Sequence, residues 1–297
     1  MRGIRLFLIS TIFVGFASAA NAQAIDWAKV DEAMGRKATV SDDVHRYGFP
    51  RTDLEVTLDG VTIKPALALG GWLAFKPMHS GAMVMGDLVL LQTEVNPVMQ
   101  KILEGGLEVT AIHNHLLRSA PMTMYMHVGG HGDPLKMATV IRGALAASGT
   151  PTAAPSSAPA AAPAVDLDTA QLDQIIGVKG QGNGGVYQYG VRRRDPITES
   201  GTMITPAVPM GVATAINLQP TGQGKAAITG DFVLTGNEVN PVMKALQSNG
   251  IEVTAIHSHM LTEEPRLIFM HFWANDDALK LARALRAALD NMANVKG

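Results

Sequence analysis

The feature that most constrains this chain is a long internal repeat. Residues 86–145 align with residues 230–289 without a gap, at a shift of 144 positions, and 29 of the 60 aligned residues are identical. The segment "EVTAIHNHLL" of the first block returns as "EVTAIHSHML" in the second, and "EVNPVM" occurs in both. Solenoid repeats are much shorter, at about 20–50 residues. The repeat therefore predicts two copies of a whole domain.

A low-complexity segment separates the two copies. Residues 147–165 read "ASGTPTAAPSSAPAAAPAV", which consists of small residues and proline without any charge. Such a composition cannot bury a hydrophobic core and favours an extended, semi-rigid linker. We therefore expect the first copy to span residues 25–146 and the second to span residues 166–297.

Residues 1–24 have the pattern of a secretory signal peptide. Arg2 and Arg5 flank the start of an apolar run from Leu6 to Phe16, and small residues follow up to Ala24. About eleven apolar residues are too few to span a bilayer as a helix. The pattern predicts an exported mature protein, periplasmic or secreted, with no membrane span.

Charge and cysteine content narrow the classes of partner and site. The formal net charge of −2 does not favour a nucleic-acid partner. The absence of cysteine excludes disulfides, thiolate nucleophiles and thiolate metal sites. A metal ion, or a component of the cell envelope, is the kind of partner that this composition allows.

Each copy predicts the element order β-α-β-β-α. In the first copy, strands are expected over 84–92, 107–116 and 122–128, after one or more strands within 54–75. A helix is expected to begin at the N-cap Asn96 and to end at Gly105, and a second helix to follow Asp133. This order predicts an α+β fold with an antiparallel sheet and two helices in each copy, compatible with a ferredoxin-like arrangement.

Six of the nine histidines occupy matching positions in the two copies. They are His113, His115 and His127 in the first copy, and His257, His259 and His271 in the second. Residues two apart on a strand share a face, and His127 on the next strand has the parity to join the His-x-His pair. Because three imidazoles can converge on one ion at about 2.0–2.1 Å each, the pattern predicts a metal site in each copy. The two sites are free to face each other across the interface between the copies.

Two acids are also retained in both copies, Glu94 and Glu238. Each precedes an expected helix, where it can supply a fourth metal ligand or a general base. An acid is also favoured at a helix N-terminus by the helix dipole alone, so a purely structural role stays open. Arg51 and Asp53 match Arg193 and Asp195, a repeat that indicates structural Arg–Asp pairs.

Zinc and copper are the metals that this donor set favours. Methionines alternate along residues 122–126, and thioethers bind Cu(I). However, Met124 and Met126 have the parity of the strand face opposite His127, and the second copy retains only Met126, as Met270. We therefore interpret the methionines as core residues and not as ligands.

The repeated motifs resemble a known family. The pattern of Gly-Asp-x-Val-Leu, Glu-Val-Asn-Pro-Val-Met, Glu-Val-Thr-Ala-Ile-His-x-His and Met-His is similar to that of uncharacterised exported bacterial proteins, among them mycobacterial lipoproteins of the LppY/LpqO type. The resemblance covers nearly all of the mature chain outside the linker. It implies a duplicated, exported domain without a known activity. A lipid anchor does not carry over, because this chain lacks a cysteine.

Three hypotheses for function follow. The first is an exported zinc- or copper-binding protein for binding, sensing or delivery, with ligands His113, His115, His127, His257, His259 and His271. The second is a metal-dependent hydrolase acting on a cell-envelope substrate, with Glu94 or Glu238 as the base. The third is a structural or partner-binding module in which the histidines are packed and hydrogen-bonded. A metal-free acid–base or substrate-binding role for the histidines is also open.

Overall fold

The computed structural model describes residues 24–153, 164–204 and 208–293 of the chain. The predicted signal peptide, except for Ala24, and linker residues 154–163 lie outside the described residues. Within those described ranges, no helix is long and apolar enough to cross a membrane.

Both copies run through a similar series of elements. In chain order, those of the first copy are α1 (Trp27–Met34), β1 (Thr39–Ser41), β2 (Val44–Pro50), β3 (Val56–Leu58), β4 (Val61–Ile63), α2 (Pro65–Ala68), β5 (Gly70–Pro77), β6 (Ala82–Leu91), α3 (Gln92–Glu104), β7 (Glu108–His113), β8 (Thr123–Gly132) and α4 (Pro134–Leu145). Those of the second copy are α5 (Thr169–Ile176), β9 (Gln181–Asn183), β10 (Val186–Val191), β11 (Ile197–Glu199), β12 (Thr202–Ile204), β13 (Thr214–Gly222), β14 (Lys225–Leu234), α6 (Val239–Ser248), β15 (Glu252–His257), β16 (Ile268–Asp277) and α7 (Ala278–Leu289).

Each copy forms one six-stranded antiparallel sheet. The strand order is β1-β2-β5-β6-β8-β7 in the first copy and β9-β10-β13-β14-β16-β15 in the second. The predicted β-α-β-β-α unit is confirmed as β6-α3-β7-β8-α4, so the chain is an α+β protein with two similar halves. A ferredoxin-like fold adds a strand after the last helix. Here β6 lies between β8 and β5, and β5 precedes the unit in the chain.

The start of α3 differs from the prediction. The helix begins at Gln92, about one turn before the expected N-cap Asn96, and Pro97 lies inside it. The reason is that Glu94 caps this end, because its carboxylate accepts the backbone N–H of Leu91 at 2.8 Å. The predicted end at Gly105 and the predicted cap Asp133 of α4 are confirmed.

The two faces of each sheet pack against different partners. In β6 the alternate residues Val84 and Leu88 belong to a core that includes residues of the helices α3 and α4. Met83 and Met85 point the other way and pack with Phe269 of the second copy. Because side chains alternate along a strand, one face carries the helices and the other faces the second sheet. We call this interface between the sheets the seam.

Candidate metal centre

The six paired histidines come together at the seam. His113 and His257 are the last residues of β7 and β15, while His127 lies in β8 and His271 in β16. His115 and the equivalent His259 follow two residues beyond the ends of their strands. The expectation that both members of each His-x-His pair project from a regular strand is therefore wrong, although both members do lie in the histidine cluster at the seam.

Contacts across the seam hold the segments beyond the strand ends. The carbonyl oxygen of His115 accepts a hydrogen bond from Thr254 Oγ1 at 2.6 Å, and that of His259 accepts one from Thr110 Oγ1, also at 2.6 Å. Thr110 and Thr254 are equivalent residues of the repeat. Each copy therefore positions the second histidine of the other copy.

A β-bulge sets the register that brings His127 to the others. Ala111 lies opposite His127 and His113 lies opposite Tyr125, after a shift between Val109 and Ala111. Residues opposite each other in an antiparallel pair share a face, so His113 and His127 project from the same side of the sheet. The second copy repeats this register and its bulge.

Each imidazole of one copy stacks on an imidazole of the other. The ring centroids are 3.6 Å apart for His113 and His257, 3.7 Å for His115 and His271, and 3.7 Å for His127 and His259. The first pair joins equivalent positions of the two copies. The other two pairs are related to each other, because His115 is equivalent to His259 and His127 to His271. The six rings thus form a pseudo-twofold arrangement, as the duplication predicts.

The histidine nitrogens are close enough to share metal ions. Ligand atoms of His113, His115 and His127 lie within 4.8 Å of one another, and so do those of His113, His257, His259 and His271. The first group is the triad predicted for the first copy, and the second group is its twin with His113 added. Because His113 belongs to both groups, the two predicted triads form one continuous centre, called the six-histidine centre below.

Backbone carbonyls orient the rings of the central strands. His271 Nδ1 lies 2.8 Å from the carbonyl oxygen of Gly230, and His127 makes the matching backbone hydrogen bond to Gly86. A proton on Nδ1 leaves the lone pair on Nε2, which is how metal-ligating histidines are usually held. Only glycine fits at position 86, because a Cβ on Gly86 would lie 2.6 Å from the carbonyl oxygen of Trp72.

Two aspartates, Asp87 and Asp231, belong to the centre and were not predicted as site residues. Asp87 lies directly opposite His127 in the sheet, and Asp231 directly opposite His271. Asp87 contacts His115 Nε2 at 3.7 Å and His127 Nε2 at 3.8 Å. A signal for them is present in the sequence, since both copies contain Gly-Asp at these positions.

Burial dominates the protonation of the centre. It lowers the pKa of every imidazole, and neighbouring rings also lower the pKa of all of them except His113. The resulting pKa is about 4 at His113 and about 3 at His271. Burial also raises the pKa of both aspartates well above the usual range, an effect that the Arg46 guanidinium opposes at Asp87. At neutral pH the six imidazoles are therefore uncharged, the form that binds metal ions.

Unsatisfied polar atoms concentrate at this centre. Among the described residues, 12 buried side-chain nitrogen and oxygen atoms have no hydrogen-bond partner, and seven of them belong to the centre. These seven are Asp87 Oδ1, His113 Nε2, His115 Nε2, His127 Nε2, Asp231 Oδ1, His257 Nδ1 and His271 Nε2. Buried polar groups are nearly always paired, so this donor set fits a bound cation.

The structure places Glu94 and Glu238 in ion pairs outside both histidine groups. Glu94 Oε2 lies 2.7 Å from Arg51 Nη1, and Glu238 Oε2 lies 2.6 Å from Arg193 Nη1. Both arginines are almost fully buried, and each also pairs with the aspartate two residues on. The predicted Arg–Asp pairs are thus confirmed. A role for the glutamates as bases stays a prediction.

A cavity of about 620 Å³ opens beside the six-histidine centre. Its lining includes Asp87, Asp231 and His115, together with the cationic side chains of Arg46 and Arg192. Ligand-binding clefts are typically about 300–1,000 Å³. The centre is therefore accessible to a small molecule from this side.

Comparison with known proteins shows a family. Residues 28–147 and residues 170–291 each match the model of the Domain of Unknown Function (DUF1259). The chain belongs to this family. The duplication predicted from the sequence is therefore confirmed, and the two DUF1259 matches contain all six histidines of the centre as well as Asp87 and Asp231.

Other comparisons add little to the DUF1259 assignment. No curated protein matches the chain. Among solved structures, the trimeric bacterial microcompartment shell protein PduB is similar over 88% of this chain and 97% of its own chain, at 14% sequence identity and a TM-score of 0.23.

Proposed function

We propose that this chain is an exported protein that binds zinc or copper at the six-histidine centre. Both copies contribute ligands, and the function is binding, sensing or delivery of the metal. Export to the periplasm or out of the cell is part of the proposal and rests on the N-terminal sequence pattern. A kinship with lipoproteins of the LppY/LpqO type is a further proposal, which rests on the repeated motifs. An envelope component as partner is another proposal.

The observation that carries this proposal is the set of seven unpaired polar atoms at the centre. Leaving a buried polar group without a partner costs about 1–3 kcal/mol, and more for a charged group. A cation that accepts several of these lone pairs removes the cost at all of them together. A module of packed histidines would need hydrogen-bond partners for the same atoms, and the described residues provide none.

One close contact supports the same interpretation. His257 Nε2 and His259 Nε2 lie 2.9 Å apart. Two neutral imidazoles can make this contact only if one of the two nitrogens carries a proton. Both nitrogens can instead offer lone pairs when they bind a common ion.

A metal-dependent hydrolase is the second candidate, and the cavity beside the centre favours it. A metal ion held there would be reachable by a substrate, and metal-bound water is a nucleophile near neutral pH. Screening ester, amide and phosphodiester substrates with and without a chelator distinguishes this activity from binding alone. Turnover that disappears on chelation would support the enzyme.

Calorimetric titration of the metal-free mature chain, made without a histidine tag, tests the proposed function. We expect saturable binding of Zn²⁺ or Cu²⁺ and a higher unfolding temperature in its presence, because a ligand that binds only the native state stabilises it. The variant with His113→Gln and His257→Gln should lose most of this binding. Absence of binding heat and of any thermal shift in the parent chain would overturn the proposal.

A further inference from the structure

The centre contains two carboxylates whose role goes beyond the histidine ligands. Asp87 belongs to β6 and lies opposite His127 of β8, and Asp231 belongs to β14 and lies opposite His271 of β16. Each side chain projects from its strand toward the seam, as the histidine opposite it does. The two acids are thus equivalent parts of the repeat, and each contacts histidines of its own copy.

The distances between acids and imidazoles match those between ligands of one ion. Asp87 Oδ2 lies 3.7 Å from His115 Nε2, and Asp87 Oδ1 lies 3.8 Å from His127 Nε2. These separations are too long for hydrogen bonds. Two donors bound to one zinc ion at about 2.0–2.2 Å in tetrahedral geometry lie about 3.3–3.6 Å apart. A small inward shift of the side chains would therefore complete such a site.

The second copy repeats the contact with one difference. Asp231 Oδ2 lies 3.6 Å from His259 Nε2, which corresponds to the Asp87–His115 contact. Asp231 Oδ1 lies 3.9 Å from Nδ1 of His271, while Nε2 of this ring has no partner. Nδ1 donates to the Gly230 carbonyl, so Nε2 is the atom of His271 available to a metal.

Both aspartates are buried, and a cationic side chain, Arg46, offsets the burial at Asp87 but not at Asp231. Their side chains are 10% and 16% exposed, and Oδ1 of each has no hydrogen bond among the described residues. A buried carboxylate that lacks compensating hydrogen bonds or charges is strongly unfavourable. His127 Nε2, which faces Asp87, carries no proton when Nδ1 donates to Gly86, so it cannot compensate the carboxylate, whereas a cation between the two can.

We propose that the chain holds two metal ions, each with an aspartate ligand. Asp87 joins His113, His115 and His127 at the first ion, and Asp231 joins His257, His259 and His271 at the second, with His113 within reach of both groups. This rests on the proposed function and specifies its stoichiometry and donor set. Carboxylate oxygens among the ligands favour zinc or another divalent ion over Cu(I). Both aspartates line the cavity, so each ion has a side that is open to a ligand from outside.

Stepwise titration of the metal-free mature chain with Co²⁺, a coloured substitute for zinc, tests this inference. We expect two ions per chain, with visible absorption that rises until the second equivalent is bound. Asp87→Asn and Asp231→Asn should each reduce the stoichiometry to one, and the double variant should bind neither ion tightly. Asp43→Asn, at an exposed acid that pairs with Lys76, is the matched control and should still bind two.

Two results would overturn the inference in different ways. Binding of one ion by the parent and by both aspartate variants would show a single histidine-only site, and the proposed function would survive. Binding of no ion by the parent would remove the proposed function as well. If an aspartate variant does not fold, native mass spectrometry of the parent during zinc addition still decides between one ion and two.

Discussion

His113 of the first copy stacks on His257 of the second, with ring centroids 3.6 Å apart. The two residues occupy equivalent positions of the repeat, so this contact lies where the pseudo-twofold axis passes through the seam. Neither copy alone can build it. The duplication is therefore part of the site, because each half supplies ligands and also packs against the ligands of the other half.

Loss of His113 should affect metal binding more than loss of His127. His113 is common to both groups of ligand atoms, whereas His127 belongs to one. We expect His113→Gln to weaken binding of all zinc by at least about tenfold, a loss reported even for residues that only support metal ligands. His79→Gln, at an exposed position outside the centre, should leave zinc binding unchanged in the same calorimetric titration. Equal effects of His113→Gln and His127→Gln would contradict the shared role.

The metal-free protein should lose stability as the pH falls from about 6.5 toward about 4. Unfolded histidines titrate near 6.5, while burial lowers the native pKa to about 4 at His113 and about 3 at His271. Between these values the unfolded chain binds more protons, so the free energy of unfolding decreases by up to about 1.4 kcal/mol per pH unit for each such histidine. The raised pKa of the two aspartates has the opposite effect above about pH 3.8, because it stabilises the native state as the pH falls. Since two acids oppose six imidazoles, the net result is a loss of stability.

Urea unfolding of the metal-free chain between pH 7 and pH 5 measures this dependence. The double variant His113→Gln and His271→Gln should show a shallower slope, because two of the titrating groups are absent. A parent chain of constant stability across this range would mean that the native imidazoles titrate normally.

Arg51 should matter for stability and not for metal binding. Its guanidinium pairs with Glu94 and Asp53 and donates to the carbonyl oxygen of Val89 at 2.8 Å. Replacing one partner of a buried ion pair leaves an uncompensated charge and costs about 3–5 kcal/mol. We expect Arg51→Leu to lower the free energy of unfolding by this amount in urea titrations. Lys280→Ala, at an exposed ion pair with Asp276, should cost less than about 1 kcal/mol.

Glu94→Gln offers a test of the glutamate as a catalytic base. The structure gives Glu94 a helix-capping and ion-pairing role, so the variant should be less stable but should keep its bound metal. If chelator-sensitive hydrolysis is found and Glu94→Gln abolishes it while the fold and metal content persist, the glutamate acts in turnover. Retention of turnover would assign Glu94 to structure alone.

Thr254 should support both the seam and the metal centre. Its hydroxyl donates to the carbonyl oxygen of His115 at 2.6 Å, beyond the end of β7. Thr254→Val should cost about 1–3 kcal/mol, because a buried carbonyl is left without this donor, and should weaken zinc binding. Thr139→Val, at an exposed hydroxyl that donates to Leu135 within α4, is the control. A variant with unchanged zinc affinity would show that His115 is positioned by other contacts.

The sequence predicted the β6-α3-β7-β8-α4 unit and the histidine set because both depend on local periodicity and on comparison of the copies, whereas it did not predict α1, β1 or β2. Alternation along β8 predicts that Met126 and His127 point to opposite faces of the sheet. Met126 indeed belongs to the core on the helix side. The start of α3 was predicted one turn late. Asn96 and Pro97 have the chemistry of a helix start, but the side chain of Glu94 caps the helix earlier.

Relationships between distant segments could not be predicted in the same way. Asp87 is adjacent to His127 only because β6 pairs with β8, and a sequence does not specify which strands are neighbours. The stacking of His113 on His257 depends on how two sheets pack. Retention of Glu94 in both copies makes it a candidate ligand in the sequence. Arg51, its partner, lies 43 residues away, and only the fold reveals that pairing.

Metal analysis of the native chain tests the central claim most directly. The mature protein, exported into a bacterial periplasm and purified without a histidine tag, should contain at least one equivalent of zinc or copper per chain. Removal of that metal by a chelator should lower the unfolding temperature, because the metal stabilises the native state. Less than about 0.2 equivalents per chain, with stability unchanged on chelation, would contradict a metal centre at the six histidines.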